Sequence, residues 1–160
     1  MLGARSTDTI KSKIVSLKVF EGSDDLLMFG MLCADLGAAM KYKTEHMRDN
    51  IHLAAHAKIL YTTGFFITSN VEALMLIAKY ANENNKPFAI NLSATFLVSG
   101  HKKEFLEMLS YADFVFGNED EFKCWGQAHE YETTDLLEIT AKIACDDKLN
   151  HDRPRVVICT

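Results

Sequence analysis

An amide and a carboxylate stand three residues apart, at Asn118 and Glu121, directly after the apolar run from Asp113 to Phe116. The run predicts a strand, and the acid then falls on the first turn of the following helix. Ligands of open α/β sheets bind at the carboxyl ends of the strands, so both side chains could contact a ligand there. The same spacing predicts a helix capping box, a structural role that is compatible with ligand binding.

Two earlier segments have the same organisation, an apolar run that ends in small polar residues and then an aromatic. They are residues 61–66, which contain Phe65, and residues 90–96, which end at Phe96. A phenylalanine beside a strand is most often a core residue, although its ring can also stack on a base. All three junctions are predicted to open onto one edge of a single parallel sheet.

From residue 57 onward, short apolar runs alternate with stretches that have an apolar residue every three or four positions. Strands are predicted at 58–61, 88–92, 113–116 and 156–159. Helices are predicted from an N-cap at Ser69 or Asn70 to residues 82–85, and at 103–111, 119–128 and 134–146. This alternation of strand and helix indicates right-handed crossovers, and hence an α/β protein with a parallel sheet.

Together with residues 33–39 (Cys-Ala-Asp-Leu-Gly-Ala-Ala), these junctions resemble adenosine kinases, which are nucleoside kinases of the ribokinase-like (PfkB) family. The resemblance is collinear from about Leu32 to Thr160. It implies a Rossmann-like parallel sheet with flanking helices, an incomplete ribokinase-like fold, and part of a small lid sheet. It also implies transfer of the γ-phosphate of ATP to the 5′-hydroxyl of adenosine, giving AMP and ADP in purine salvage.

The resemblance also suggests roles for particular residues. Phe65 and Phe96 match the aromatic residues around adenine, and Asn118 with Glu121 matches an Asn-x-x-Glu motif that organises Mg²⁺, water and phosphates. Glu121 is expected to act on the metal indirectly, through water. The apolar lid contacts with the nucleoside are expected from Leu32, Ala34 and Leu36. Mg²⁺ is thus the implied cofactor, with ATP as co-substrate and adenosine as substrate.

The resemblance divides the chain into three parts. Residues 1–25 form an unassigned leader, residues 26–56 a partial lid segment with a connecting helix, and residues 57–160 the central part of the kinase domain. The family places its catalytic base in a Gly-Ala-Gly-Asp motif, and the 160 residues contain no such sequence. The base is therefore expected outside this chain, and the chain alone is expected to be inactive.

Two alternatives remain open at this point. The chain could derive from another ribokinase-like sugar or nucleoside kinase, although the apolar lid residues and the aromatics favour a purine. It could also be a non-catalytic fragment that binds nucleoside or interacts with partners.

Composition excludes several other classes of protein. The formal net charge is -5 and the longest basic cluster is Lys102-Lys103, which makes nucleic-acid binding unexpected. No run approaches the ~20 apolar residues of a membrane span, and the four cysteines show no CxxC spacing. We expect a protein of the cytoplasm, with the nucleus as an alternative, that binds neither nucleic acid nor membrane.

Overall fold

The computed structural model describes residues 41–160, of which Lys43–Thr160 form one compact unit. Its centre is a parallel sheet of four strands in the order β1-β2-β3-β4. The strands are β1 (Leu60–Thr63), β2 (Phe88–Asn91), β3 (Phe114–Gly117) and β4 (Val156–Cys159). The prediction of a parallel α/β sheet with flanking helices is confirmed. The predicted lid sheet lies outside the described residues.

Helices and short turns connect the strands. They are α1 (Thr44–Asn50), a 3₁₀ helix (Ile51–His56), α2 (Phe65–Ser69), α3 (Val71–Glu83), α4 (Thr95–Gly100), α5 (Lys102–Leu109), α6 (Glu119–Ala128) and α7 (Leu136–Cys145). Asn70 is the N-cap of α3, as predicted, because its side chain accepts a hydrogen bond from the amide of Ala73 at 2.9 Å. The short helices α2 and α4 were not predicted.

The observed starts of one strand and one helix differ by two residues from the predicted ones. β1 lies at Leu60–Thr63 rather than at 58–61, because Leu60 pairs in register with Phe88 at the start of β2. Helix α7 begins at Leu136 rather than at 134, because the Asp135 side chain caps it by accepting from the amides of Leu137 and Glu138. Within residues 41–160, no helix is long and apolar enough to cross a membrane.

The core lies on one face of the sheet. That face carries Leu60, Phe88, Ile90 and Val115, none more than 8% exposed. The helices cover it with large side chains that include Leu74, Leu97, Phe105, Phe122, Trp125, Ile139 and Ile143. On the opposite face, Tyr61 is 56% exposed and Val156 is 42% exposed. The helices therefore anchor the sheet from one side and leave its carboxyl edge accessible.

Buried charges hold the amino-terminal end of the sheet together. Asp113, only 2% exposed, directly precedes β3 and forms ion pairs with Lys148 and with Arg153, whose Nε lies 3.2 Å away. Its carboxylate also accepts the amide of Phe88 at 2.9 Å. Burial alone raises the pKa of Asp113, but the hydrogen bonds from Lys148, Phe88 and Arg153 outweigh burial and hold that pKa below its usual value.

Arg155 extends this anchoring to the helices. It is 5% exposed, and its guanidinium donates to the backbone carbonyls of Leu109 and Ile143 at 2.7 and 2.6 Å. It also donates to the carbonyls of Ala112, Asp146 and Asp147. Burial lowers the pKa of Arg155. One side chain thus satisfies the carboxyl ends of both α5 and α7, where carbonyls lack helical partners.

At the other end of the sheet, the junction after β1 presses against the junction after β2. A Cβ atom on Gly64 would lie 2.6 Å from the carbonyl oxygen of Leu92 and 2.9 Å from that of Asn91. The two backbones can approach this closely only because position 64 has no side chain. The junctions therefore pack as one unit.

We predict that Asp113→Asn lowers the free energy of unfolding by about 3 to 5 kcal/mol, because it leaves Lys148 buried without its counter-charge. The folded pKa of Asp113 is lowered, so its contribution to stability is complete above about pH 3.9, the ordinary aspartate value. It is lost as the pH falls through the folded value. Urea unfolding of both proteins at pH 7 and pH 3 measures this.

The matched control is Asp152→Asn, which removes an exposed carboxylate from the loop that carries Arg153. It should leave the free energy of unfolding nearly unchanged. Equal stabilities for the Asp113 and Asp152 variants at pH 7 would contradict the role given to the Asp113 network.

Candidate functional site

A cleft of about 380 Å³ opens at the carboxyl edge of the sheet. Residues from the ends of all four strands line it, together with the turns that follow them. They are Tyr61, Thr63, Phe65, Asn91, Ser93, Gly117, Asn118, Glu121 and Thr160. The three junctions singled out in the sequence therefore meet at one edge, as predicted from the parallel topology.

Asn118 and Glu121 hold each other in a reciprocal arrangement. The Asn118 side chain accepts the amide of Glu121 at 2.8 Å, and Glu121 Oε2 accepts the amide of Asn118 at 2.9 Å. A third hydrogen bond runs from Asn118 Nδ2 to Glu121 Oε1 at 3.1 Å. The predicted capping box is confirmed. Glu121 is 6% exposed, yet it belongs to the wall of the cleft.

The space for this carboxylate depends on Gly117, the last residue of β3. A Cβ atom there would lie 3.1 Å from Glu121 Oε2 and 3.1 Å from a methyl carbon of Leu92. Each carboxylate oxygen has about two lone-pair sites, and each accepts one hydrogen bond from Asn118. Acceptor capacity therefore remains for a water molecule or a ligand on the cleft side.

Glu121 is the one acid that the residues lining the cleft, as described in the structure, offer toward a metal ion such as Mg²⁺. Within residues 41–160, no three His, Cys, Asp or Glu side chains lie close enough together to hold a metal ion. Mg²⁺ usually keeps several waters and binds through one or two carboxylates plus substrate phosphates. A single acid at the cleft, already held by two hydrogen bonds, matches the water-mediated part of such a site.

Phe65 and Phe96 come together as a pair of aromatic side chains. Their ring centroids are 6.1 Å apart, and the ring planes are tilted by 57°. Phe65 lines the cleft, whereas Phe96 is not one of the nine lining residues and is 62% exposed. Phe65 lies beyond the strand, because β1 stops at Thr63 and Phe65 is the first residue of α2.

Ser93 is a site residue that the sequence did not reveal. Its backbone has φ 68°, in the left-handed region. Its amide donates to Asn91 Oδ1 at 2.8 Å, and its hydroxyl accepts the amide of Gly64 at 2.9 Å. The pattern Asn-x-Ser after a strand is a signal for such a turn, because asparagine side chains accept backbone amides two residues on.

Tyr61, Thr63 and Thr160 complete the lining without having been singled out in the sequence. The Tyr61 ring packs edge-on against Phe116 at 6.4 Å, and the amide of Thr160 donates to the Gly117 carbonyl at 3.0 Å. Position was the only signal for the two threonines, since each lies at or just after the end of a strand, whereas Tyr61 is the second residue of β1. The predicted lid residues Leu32, Ala34 and Leu36 lie outside the described residues.

Comparisons with known proteins agree with this geometry. Residues 31–160 match the family model described as pfkB family carbohydrate kinase. The chain is 39% identical over 131 residues to an adenosine kinase of Schizosaccharomyces pombe, a match that covers 81% of the chain and 38% of that protein. The chain thus spans well under half the length of this curated relative.

Two solved structures are also similar to this chain. An adenosine kinase of Anopheles gambiae, in complex with P1,P4-di(adenosine-5) tetraphosphate, superposes with a TM-score of 0.73 at 36% identity over 76% of this chain and 36% of that one. An adenosine kinase of Schistosoma mansoni, in complex with 2-fluoroadenosine, gives a TM-score of 0.70 at 35% identity, with the same coverage. The chain belongs to the pfkB family of carbohydrate kinases, and the three members named above, which it resembles in sequence or structure, are adenosine kinases.

Proposed function

We propose that this chain forms the nucleoside and phosphate edge of an adenosine kinase-like phosphotransferase, which converts ATP and adenosine to ADP and AMP. The observation that carries the proposal is a single cleft in which an aromatic side chain, Phe65, shares the wall with an acid, Glu121. The ligands of the two similar structures, an adenosine derivative and a bis-adenosine tetraphosphate, support it.

The adenine ring of the substrate is assigned to the Phe65 and Phe96 pair. Two tilted rings with centroids 6.1 Å apart offer a face and an edge to a planar base. Stacking of a base on an aromatic side chain contributes ~1 to 3 kcal/mol and needs no charge. Leu32, Ala34 and Leu36 are proposed as the apolar lid contacts on the nucleoside.

The phosphate region is assigned to Asn118 and Glu121. Bound Mg²⁺ neutralises charge on the transferring phosphoryl group, which is the main requirement of this chemistry. Glu121 orients a water of the metal, because the capping box holds its carboxylate at the cleft wall. Asn118 keeps that carboxylate in place by donating to both of its oxygens.

The general base and most contacts to ATP are assigned to residues outside the 160 of this sequence. The family keeps its base in a Gly-Ala-Gly-Asp motif, and this sequence has none. The cleft supplies binding and charge organisation but, among residues 41–160, no acid other than Glu121. On the same family basis we propose a location in the cytoplasm or, alternatively, the nucleus, which imaging of a tagged chain tests.

The second candidate function is that of another sugar or nucleoside kinase of the same family. The polar lining of the cleft, Thr63, Asn91 and Thr160, suits a sugar hydroxyl as well as a ribose. The exposed Phe96 favours a substrate with a base. The third candidate function is that of a non-catalytic fragment, which would bind nucleoside at the same aromatic side chains but would form no product.

We predict that the purified chain binds adenosine and that Phe65→Leu weakens the binding about tenfold, the equivalent of ~1.4 kcal/mol of lost stacking. Leucine keeps an apolar side chain against the core and removes only the ring. An NMR titration with adenosine, with D-ribose as a parallel ligand, measures both affinities.

The matched control is Leu137→Ala, which removes a leucine that is 78% exposed at the start of α7. It should bind adenosine as the unaltered chain does. Binding of D-ribose as tight as that of adenosine would favour the sugar kinase. Unchanged adenosine binding by Phe65→Leu would remove Phe65 from the site.

We predict that the 160-residue chain does not form AMP from ATP, Mg²⁺ and adenosine at the ~1 to 100 per second of typical kinases. General-base catalysis alone contributes ~10² to 10⁴ in rate, and we propose that the base belongs to the Gly-Ala-Gly-Asp motif, which is not in this sequence. Chromatographic detection of AMP measures the rate, with the S. pombe enzyme as a positive control. Turnover in the kinase range would show that the base lies within this sequence.

We predict that Glu121→Gln lowers turnover by about 10- to 100-fold and raises the Mg²⁺ requirement, as loss of an outer-sphere partner does. The assay uses a chimera in which residues 43–160 replace the matching part of the S. pombe enzyme. The glutamine oxygen can still accept one hydrogen bond from Asn118, but its amide nitrogen then faces the second donor of Asn118. We therefore also expect the free energy of unfolding to fall by about 1 kcal/mol.

Glu119→Gln is the control, because it removes an exposed acid from the same first turn, one paired with Lys123 at 3.4 Å. It should leave both turnover and the Mg²⁺ titration unchanged. If Glu121→Gln keeps the turnover of the parent chimera at every Mg²⁺ concentration, Glu121 is a capping residue and has no part in the phosphate site.

A further inference from the structure

Ser93 has a positive backbone φ at a position where no helix ends, unlike the other non-glycine residues with this conformation in the described part of the chain. Three residues other than glycine have positive φ within residues 41–160, namely Asn85, Ser93 and Glu130. Asn85 and Glu130 follow the ends of α3 and α6, where a left-handed residue commonly terminates a helix. Ser93 instead follows a strand, and it lines the cleft.

Three hydrogen bonds hold Ser93 in this conformation, and a fourth, longer contact from its hydroxyl to Asn91 Oδ1 at 3.4 Å shares the hydroxyl proton. Its amide donates to Asn91 Oδ1 at 2.8 Å, and its hydroxyl donates to the Asn91 carbonyl at 3.2 Å. The third connects the two junctions, because Ser93 Oγ accepts the amide of Gly64 at 2.9 Å. The hydroxyl thus acts as donor within its own turn and as acceptor toward the neighbouring one.

Phe65 and Phe96 both lie close in sequence to the Gly64–Ser93 hydrogen bond. Phe65 follows Gly64 in the chain, and Phe96 lies three residues after Ser93, on the first turn of α4. A Cβ atom on Gly64 would lie within 2.9 Å of the carbonyl oxygens of Asn91 and Leu92, so the two junctions are closely packed at this point. The Gly64–Ser93 hydrogen bond adds a directional contact to that packing.

We propose that Ser93 is a positioning residue that sets the relative placement of Phe65 and Phe96 through its hydroxyl, an inference that rests on the proposed nucleoside function. Ser93 need not touch the base. Its hydroxyl fixes the Gly64 amide, the turn fixes α4, and the two rings are thereby held with centroids 6.1 Å apart before a ligand arrives. Such preorganisation favours binding because less ordering remains to be done.

The test compares Ser93→Ala and Ser93→Gly with Ser99→Ala in the full 160-residue chain. Glycine adopts positive φ readily, so Ser93→Gly removes the hydroxyl while easing the backbone, and it keeps the test decisive if alanine at this φ destabilises the chain. Ser99 is an exposed hydroxyl on α4 that donates to the carbonyls of Thr95 and Phe96, so its loss controls for a missing serine on the same helix.

Three readouts are taken: exchange of the Gly64 amide, nuclear Overhauser contacts between the Phe65 and Phe96 rings without ligand, and adenosine affinity by NMR titration. Both Ser93 variants should exchange the Gly64 amide at least about tenfold faster, lose the ring contacts and bind adenosine about tenfold more weakly. Ser99→Ala should match the parent chain in all three.

The outcomes separate the two proposals. If the parent chain does not bind adenosine, the nucleoside function fails, and the ring contacts alone then decide the role of Ser93. If the Ser93 variants lose Gly64 protection but keep the ring contacts, or if Ser93→Gly behaves as the parent in all three readouts, the positioning role is overturned.

Discussion

Parallel pairing of the central strands is the constraint on which the site depends. The ladder continues past the strand ends, because the amide of Leu92 donates to the Phe116 carbonyl at 2.9 Å and that of Thr160 donates to Gly117 at 3.0 Å. These bonds keep the chain in register where it leaves the sheet, so the turns after β2 and β3 and the residue after β4 lie at the same level along the strand direction. A cleft lined by all four strand ends follows from that register.

Charge and polarity are divided between the two ends of the sheet. At the amino end, Asp113 and Lys148 form an ion pair that is almost completely buried. The Asp113 carboxylate also accepts the amide of Phe88, and the Asp113 backbone carbonyl accepts the amide of Val156 at 2.8 Å. Buried pairs are costly to break, so this end is rigid. The carboxyl end presents hydroxyls, amides and one acid, which can exchange their water for a ligand.

Local chemistry explains which features the sequence could predict. The strands, the Asn70 cap and the Asn118–Glu121 capping box depend on residues a few positions apart, and all were predictable. The Asp113 network joins residues that are 35 and 40 positions apart in the sequence, and the Arg155 contacts join residues up to 46 positions apart. No local sequence pattern could therefore predict either of them. The short helix at Phe65 was missed because the contact of Gly64 with the next junction, rather than local helix propensity, ends β1 there.

The capping by Glu121 and the phosphate-site role proposed for it are compatible with one geometry. The amides at the start of α6 carry partial positive charge, which favours a carboxylate at that place. The same amides and the Asn118 side chain fix the direction of the carboxylate, and Gly117 leaves the room for it. A carboxylate that is held this way loses little freedom when it binds the water of a metal ion. The helix start therefore holds the carboxylate in one orientation at the cleft wall, which is what the proposed role at the phosphate site requires.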